Sequence, residues 1–145
     1  MSNCKGGRRN DLRQYVAVGS LQYEAQKLTD LTKKNAVPTS DDEKPLSDDE
    51  LRALLKEVPD WKLEYSNTRE LCFLTRTYSF KSYEVVLSFH QKVGLLAEEQ
   101  QHHPEMVSQY GSVAIRWWTH TVGGVHMNDF VLAAKCDQLY QETLT

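Results

Sequence analysis

The sequence predicts an α+β domain, a four-stranded, mainly antiparallel sheet with helices on one face, in the order helix, strand, strand, helix, strand, strand, helix. Three observations carry that expectation. Two stretches, near residues 61–80 and 107–119, alternate or concentrate β-forming residues around a turn, as antiparallel hairpins do. Two others repeat apolar residues at three- and four-residue spacing, and a capping residue opens a third helix. Helical and hairpin stretches then alternate along the chain.

In Leu46-Ser47-Asp48-Asp49-Glu50-Leu51, Ser47 is a natural N-cap with Glu50 three positions on, and Leu51, Leu54, Leu55 and Val58 follow at helical spacing. This predicts a helix over about 48–57, stopped by Pro59. Trp61 to Tyr65 alternates apolar and polar residues, Ser66-Asn67-Thr68 makes a turn, and Leu71 to Phe80 is rich in β-branched and aromatic residues. Ser82 caps the longest helix, which runs to about residue 101 through Tyr83, Val86, Leu87, Phe89, Val93, Leu96 and Ala97. At about 100° per residue, its apolar positions cover roughly 200°, about twice what packing on one sheet needs. A second buried face is implied, most simply a subunit interface. Val107 to Tyr110 and Val113 to Thr119 form a second hairpin around Gly111, with Val113, Ile115 and Trp117 on one face and Ala114, Arg116 and Trp118 on the other. Asn128 or Asp129 caps a last helix reaching about Thr143.

The chain has 145 residues, 40% hydrophobic and 26% charged, which is a globular composition for one domain. Its net charge of −3 is a sum of opposites, +4 over residues 1–40 and −7 over 41–145. The acidic part argues against direct nucleic-acid or anionic-membrane binding, and no apolar run is long enough to span a bilayer. The polar, Pro-containing stretch 35–45 divides the chain near Lys44: residues 1–44 read as a flexible extension and 45–145 as the domain. With Arg8, Arg9 and Arg13 the basic start allows a mitochondrial transit peptide, although Asp11, Glu24 and Asp30 favour a plain extension. Cys4, Cys72 and Cys136 are dispersed and odd in number, so reduced thiols in the cytoplasm are expected.

His102, His103, His120 and His126 fall within 25 positions and sit where elements end. Pro104 disfavours α conformation at His103, so the long helix finishes near the pair. Its C-terminal dipole favours imidazolium by about 0.3–1 kcal/mol. Glu98, one turn before His102, is expected to reach that imidazole, while His103 projects elsewhere. His120 ends a strand ahead of Gly123-Gly124, and Asp129 is either a helix cap or part of the site. A zinc centre is the competing chemistry, but adjacent histidines diverge and no H-x-x-x-H spacing occurs, so no metal is expected. Trp61, Trp117 and Trp118 are either core residues or a platform for a flat heterocycle.

Glu98-x-x-x-His102-His103-Pro104, with Tyr110, Thr119-His120 and Asp129 following, resembles the pterin-4a-carbinolamine dehydratase family. The resemblance runs from about Leu46 to the C-terminus, including Pro59-Asp60-Trp61 and Phe80-Lys81-Ser82-Tyr83, and leaves residues 1–44 outside. Met106 departs from it, standing where the family's animal members tend to carry an aromatic residue. The resemblance implies a lyase that removes water from 4a-hydroxytetrahydropterin to give quinonoid dihydropterin, in tetrahydrobiopterin regeneration, without a cofactor. It implies proton transfer by His102 and His120, Glu98 tuning His102, and His103, Asp129 and Pro104 binding the pterin. It also implies a homodimer or homotetramer. The alternative is a protein-interaction module, a dimerisation cofactor of a transcription factor, which would place the chain in the nucleus.

Overall fold

The computed structural model describes residues 31–145. Helix α1 spans Asp48–Leu55, strand β1 Lys62–Tyr65, strand β2 Cys72–Ser79, helix α2 Tyr83–Glu99, strand β3 Glu105–Gln109, strand β4 Ser112–Trp117 and helix α3 Met127–Leu144. Short 3₁₀ turns lie at Leu31–Lys33 and His120–Val122. The order is the one the sequence predicts. The sheet runs β1-β2-β4-β3 and every pairing is antiparallel.

Each element forms for a local reason. Ser47 and Glu50 close a reciprocal capping box at α1, and the Ser82 hydroxyl accepts from Val85 N–H at α2. Alternation places Val113, Ile115 and Trp117 in the core, on the sheet face that the helices cover. Helix α2 buries Val86, Phe89, Val93 and Ala97, a single stripe, whereas α3 is buried nearly all round from Asn128 to Ala134. Tyr83, Leu87 and Leu95 on α2 stay 45–64% exposed, so part of the helix's apolar surface is not covered within the chain.

A second anchor lies away from the histidines. One oxygen of Asp137 on α3 accepts from the Trp61 indole (2.9 Å), the Arg76 guanidinium (2.6 Å) and the Tyr78 hydroxyl (2.5 Å). Trp61 is therefore a core residue, not a platform for a ligand. Burial, with the Asp137 charge adding to it, pushes the Tyr78 hydroxyl far above its ordinary range, so it stays a donor.

Two expectations need correction. Cys136 is a buried free thiol, whereas Cys72 is disulfide-bonded, so the thiols are not all reduced. Of the stretch expected to be a flexible extension, residues 31–43 lie against the domain. Leu31 is 3% exposed within the core, and Lys135 Nζ donates to Thr32 O (2.9 Å). Residues 1–30, including the candidate transit segment, lie outside the described residues.

Removing the Asp137 carboxylate leaves a largely buried guanidinium, an indole N–H and a phenol without their shared acceptor. Asp137→Ala is expected to destabilise the fold by about 3 kcal/mol. Urea unfolding checks this, and a loss under about 1 kcal/mol would show that the network is marginal.

Candidate active site

The end of α2 decides where the paired histidines go. Gln101 adopts a left-handed φ of 52°, Gln101 N–H donates to Glu98 O (3.2 Å) and His102 N–H reaches back to Ala97 O (3.1 Å). This is a Schellman termination, and it turns the chain out of helical register before His102. Extrapolating the helix from Glu98 to His102 therefore fails. Glu98 Oε2 bonds His103 Nε2 (2.9 Å), and His102 Nε2 instead donates to Asp129 Oδ1 (2.6 Å).

Asp129 is completely buried. Besides His102, it accepts from the Thr119 hydroxyl (2.9 Å) and the His126 backbone N–H (2.8 Å), both on Oδ2. The expected cap of the last helix is corrected. His126 is the N-cap, its Nδ1 accepting from Asn128 N–H (3.0 Å), and Asp129 is the third helical residue, whose carboxylate returns to the cap. The capping box thus serves the site as well as the helix. His126, one of the four clustered histidines, has no separate role in the sequence pattern, although His-x-x-Asp ahead of a helix is readable as a capping box in which an imidazole replaces the usual hydroxyl.

The His102 ring lies parallel to Trp117, centroids 5.6 Å apart and planes 10° apart, and is 15% exposed. With Nε2–H committed to Asp129, Nδ1 is the ring nitrogen that this pair leaves unengaged. His120 is exposed on the 3₁₀ turn, which Gly123 closes in a left-handed conformation (φ 64°) with its N–H on His120 O (3.1 Å). The Trp118 indole donates to His120 Nδ1 (3.3 Å), so the proton of the neutral ring sits on Nε2. Pro104 occupies the bend between the Schellman turn and β3.

The structure therefore contains two imidazole–carboxylate pairs of opposite character. His102–Asp129 is sheltered and its carboxylate fully bonded; His103–Glu98 stands in solvent, its side chains 60% and 71% exposed. The hydrogen bond and charge of His103 hold the Glu98 carboxyl below its usual range. Through Asp129 and Thr119, His102 is linked to the residue preceding His120. Beside Trp118, a cleft of about 400 Å³ lined by Tyr65, Phe73, Glu105 and Arg116 opens on the sheet face away from the helices. No histidine lines this cleft; it is the two imidazole–carboxylate pairs that suit proton donation and acceptance on a small substrate. Among the described residues no three His, Cys, Asp or Glu side chains converge as a metal-holding group.

Comparison with known proteins gives a consistent picture. Residues 44–139 match the family described as Pterin 4 alpha carbinolamine dehydratase. A protein of Chlorobium luteolum, named "Putative pterin-4-alpha-carbinolamine dehydratase", is 42% identical over 113 residues, 78% of this chain and 97% of its own. One of the same name from Marinobacter nauticus is 39% identical over 113 residues, 78% of this chain and 100% of its own. These matches are longer than the stretch from Lys44 to the C-terminus, so they include part of the segment preceding it. A solved structure, a transcriptional coactivator/pterin dehydratase from Brucella melitensis, superimposes with a TM-score of 0.58 at 28% identity, over 66% of this chain and 98% of that one.

Glu98 offers a direct check on the exposed pair. Because its folded pKa is lowered, the pair is intact above the ordinary carboxylate pKa and is lost as pH falls through the lowered value. Carbon-13 NMR titration should show Glu98 ionising below a free glutamate, and His103→Ala should return it to normal. An unchanged titration in that variant would show that His103 is not the cause.

Proposed function

Because this chain belongs to the pterin 4 alpha carbinolamine dehydratase family, we propose that it dehydrates 4a-hydroxytetrahydrobiopterin to quinonoid dihydrobiopterin. Dehydration of a pterin carbinolamine is the family's reaction; the biopterin substrate and the residue roles are our own reading. The observation that carries it is the sheltered His102–Asp129 pair, joined through Thr119 to the turn that bears His120.

The chemistry sets the requirements. Breaking the C4a–O bond needs a proton on the departing hydroxyl, which leaves as water, and forming the C4a=N5 double bond needs the N5 proton removed. Both are proton transfers, with no change in oxidation state. His102 can serve either way, since the ionised Asp129 orients its ring and stabilises the imidazolium when Nδ1 takes up a proton. His120, exposed and with Nδ1 fixed by Trp118, has Nε2 available for the other proton transfer. His103, steadied by Glu98, supplies a polar edge for the pterin, and Pro104 shapes the bend beside it. Glu98 therefore supports substrate binding through His103 instead of tuning His102, a role that Asp129 takes.

A homodimer or homotetramer follows from the same reading. Tyr83, Leu87 and Leu95 leave an apolar stripe along α2 that a second copy of the helix would cover. A partner helix from another protein would fit the same stripe, which is the basis for the interaction-module alternative.

Two measurements test these points. In an absorbance assay with synthetic 4a-hydroxytetrahydrobiopterin, His102→Ala and His120→Ala should each lower kcat by about 10²–10⁴-fold. A double variant at the wild-type rate would refute the assignment. In sedimentation, Leu87→Glu with Leu95→Glu should shift an oligomer to monomer, and a wild-type monomer would remove the oligomer from the proposal.

A further inference from the structure

The segment ahead of the family match is bonded to the end of α2, to the 3₁₀ turn and to the start of α3. Gln100, the C-cap of α2 and two residues before His102, accepts from Ala36 N–H (2.8 Å) through Oε1, and its Nε2 donates to Asn35 Oδ1 (3.3 Å). Thr39 bonds Thr121, beside His120. Asn128, buried and adjacent to Asp129, exchanges two bonds with the backbone of Val37: its Nδ2 donates to Val37 O (2.7 Å), and Val37 N–H donates to its Oδ1 (3.0 Å). Glu43 Oε2 lies 2.7 Å from His126 Nε2. Apolar anchors flank the segment, Leu31 in the core and Leu46 packed against it.

The His126 ring is the critical link. Its Nδ1 accepts from Asn128 N–H, so the ring's proton is on Nε2 and is donated to Glu43. The backbone N–H of the same residue holds Asp129 Oδ2, and Asp129 Oδ1 holds His102. A continuous path of hydrogen bonds therefore runs from Glu43 through His126 and Asp129 to the reactive imidazole. Without the segment, the Asn128 amide, 3% exposed, would lose both of its partners on Val37, and the cap ring would lose the acceptor that fixes its orientation.

We propose that residues 35–43 are a positioning strap for the site: Glu43 through His126, and Val37 through Asn128, fix the first turn of α3 so that Asp129 stands against His102. As a statement about catalysis this rests on the dehydratase reading above; as a statement about geometry it does not. Curated relatives whose matches extend into this segment carry a counterpart of part of it, as a built piece of the domain would require.

The test uses the full chain labelled with ¹⁵N-histidine. Wild type should show a slowly exchanging His102 Nε2 proton, held by the buried carboxylate. In Glu43→Ala this signal should broaden into solvent exchange and kcat should fall ~tenfold with KM little changed, the loss expected when a catalytic group is loosened. Glu43→Gln, which keeps an oxygen acceptor for His126, should recover both. A wild-type His102 signal in Glu43→Ala would overturn the strap whether or not the rate falls, as would equal losses in the Ala and Gln variants. If the His102 signal changes as expected and is recovered by Gln, but wild type itself does not turn over carbinolamine, the strap stands and the dehydratase reading falls.

Discussion

A carboxylate with no exposed surface, that of Asp129, is the point on which the site is built. An ionised group so placed is tolerable only when its lone pairs are taken up, because desolvation costs several kcal/mol, on the order of what one ion pair can return. Here the donors come from three places in the chain: the loop leaving α2 gives His102, the end of β4 gives Thr119, and the entry to α3 gives the His126 backbone. Satisfying one carboxylate thus brings together the three segments that make the site. The same bonds orient the His102 ring, which is a chemical consequence of a structural necessity.

Around that point, the histidines differ by environment and not by residue type. His102 is packed on Trp117 with one nitrogen committed, His103 pairs with Glu98 in solvent, His120 is fixed at one nitrogen by an indole, and His126 caps a helix. Burial separates the two carboxylates as well. Glu98 is accessible and lowered by its neighbour, whereas Asp129 is enclosed by donors. The Asp137 network with Trp61, Arg76 and Tyr78 fastens α3 to the sheet at a distance from this chemistry. Anchored there, the helix can present a defined first turn to the site.

The elements were legible because their signals are local. Ser47-x-x-Glu50 and Ser82 mark helix starts with side chains that bond nearby backbone, and Val113, Ile115 and Trp117 reveal a buried face by alternation. Glu98, His102, His103, His120 and Asp129 could be named from the sequence as a candidate set, but not how they pair. A single left-handed residue, Gln101, swings His102 away from Glu98, and no helical spacing carries information through such a turn. Asp129 looked like a cap because it does belong to one, His126 being the cap itself.

The α+β order, the antiparallel hairpins and the starts of the first two helices follow from propensity, period and capping within a few residues. Only the tertiary structure decided that His102 meets Asp129, that Glu98 meets His103, and that residues 31–43 lie on the domain with Glu43 against His126. Those partners are set by which segments must converge to satisfy a buried charge and to bury Leu31. That is a condition on the whole fold, and no short stretch of sequence contains it.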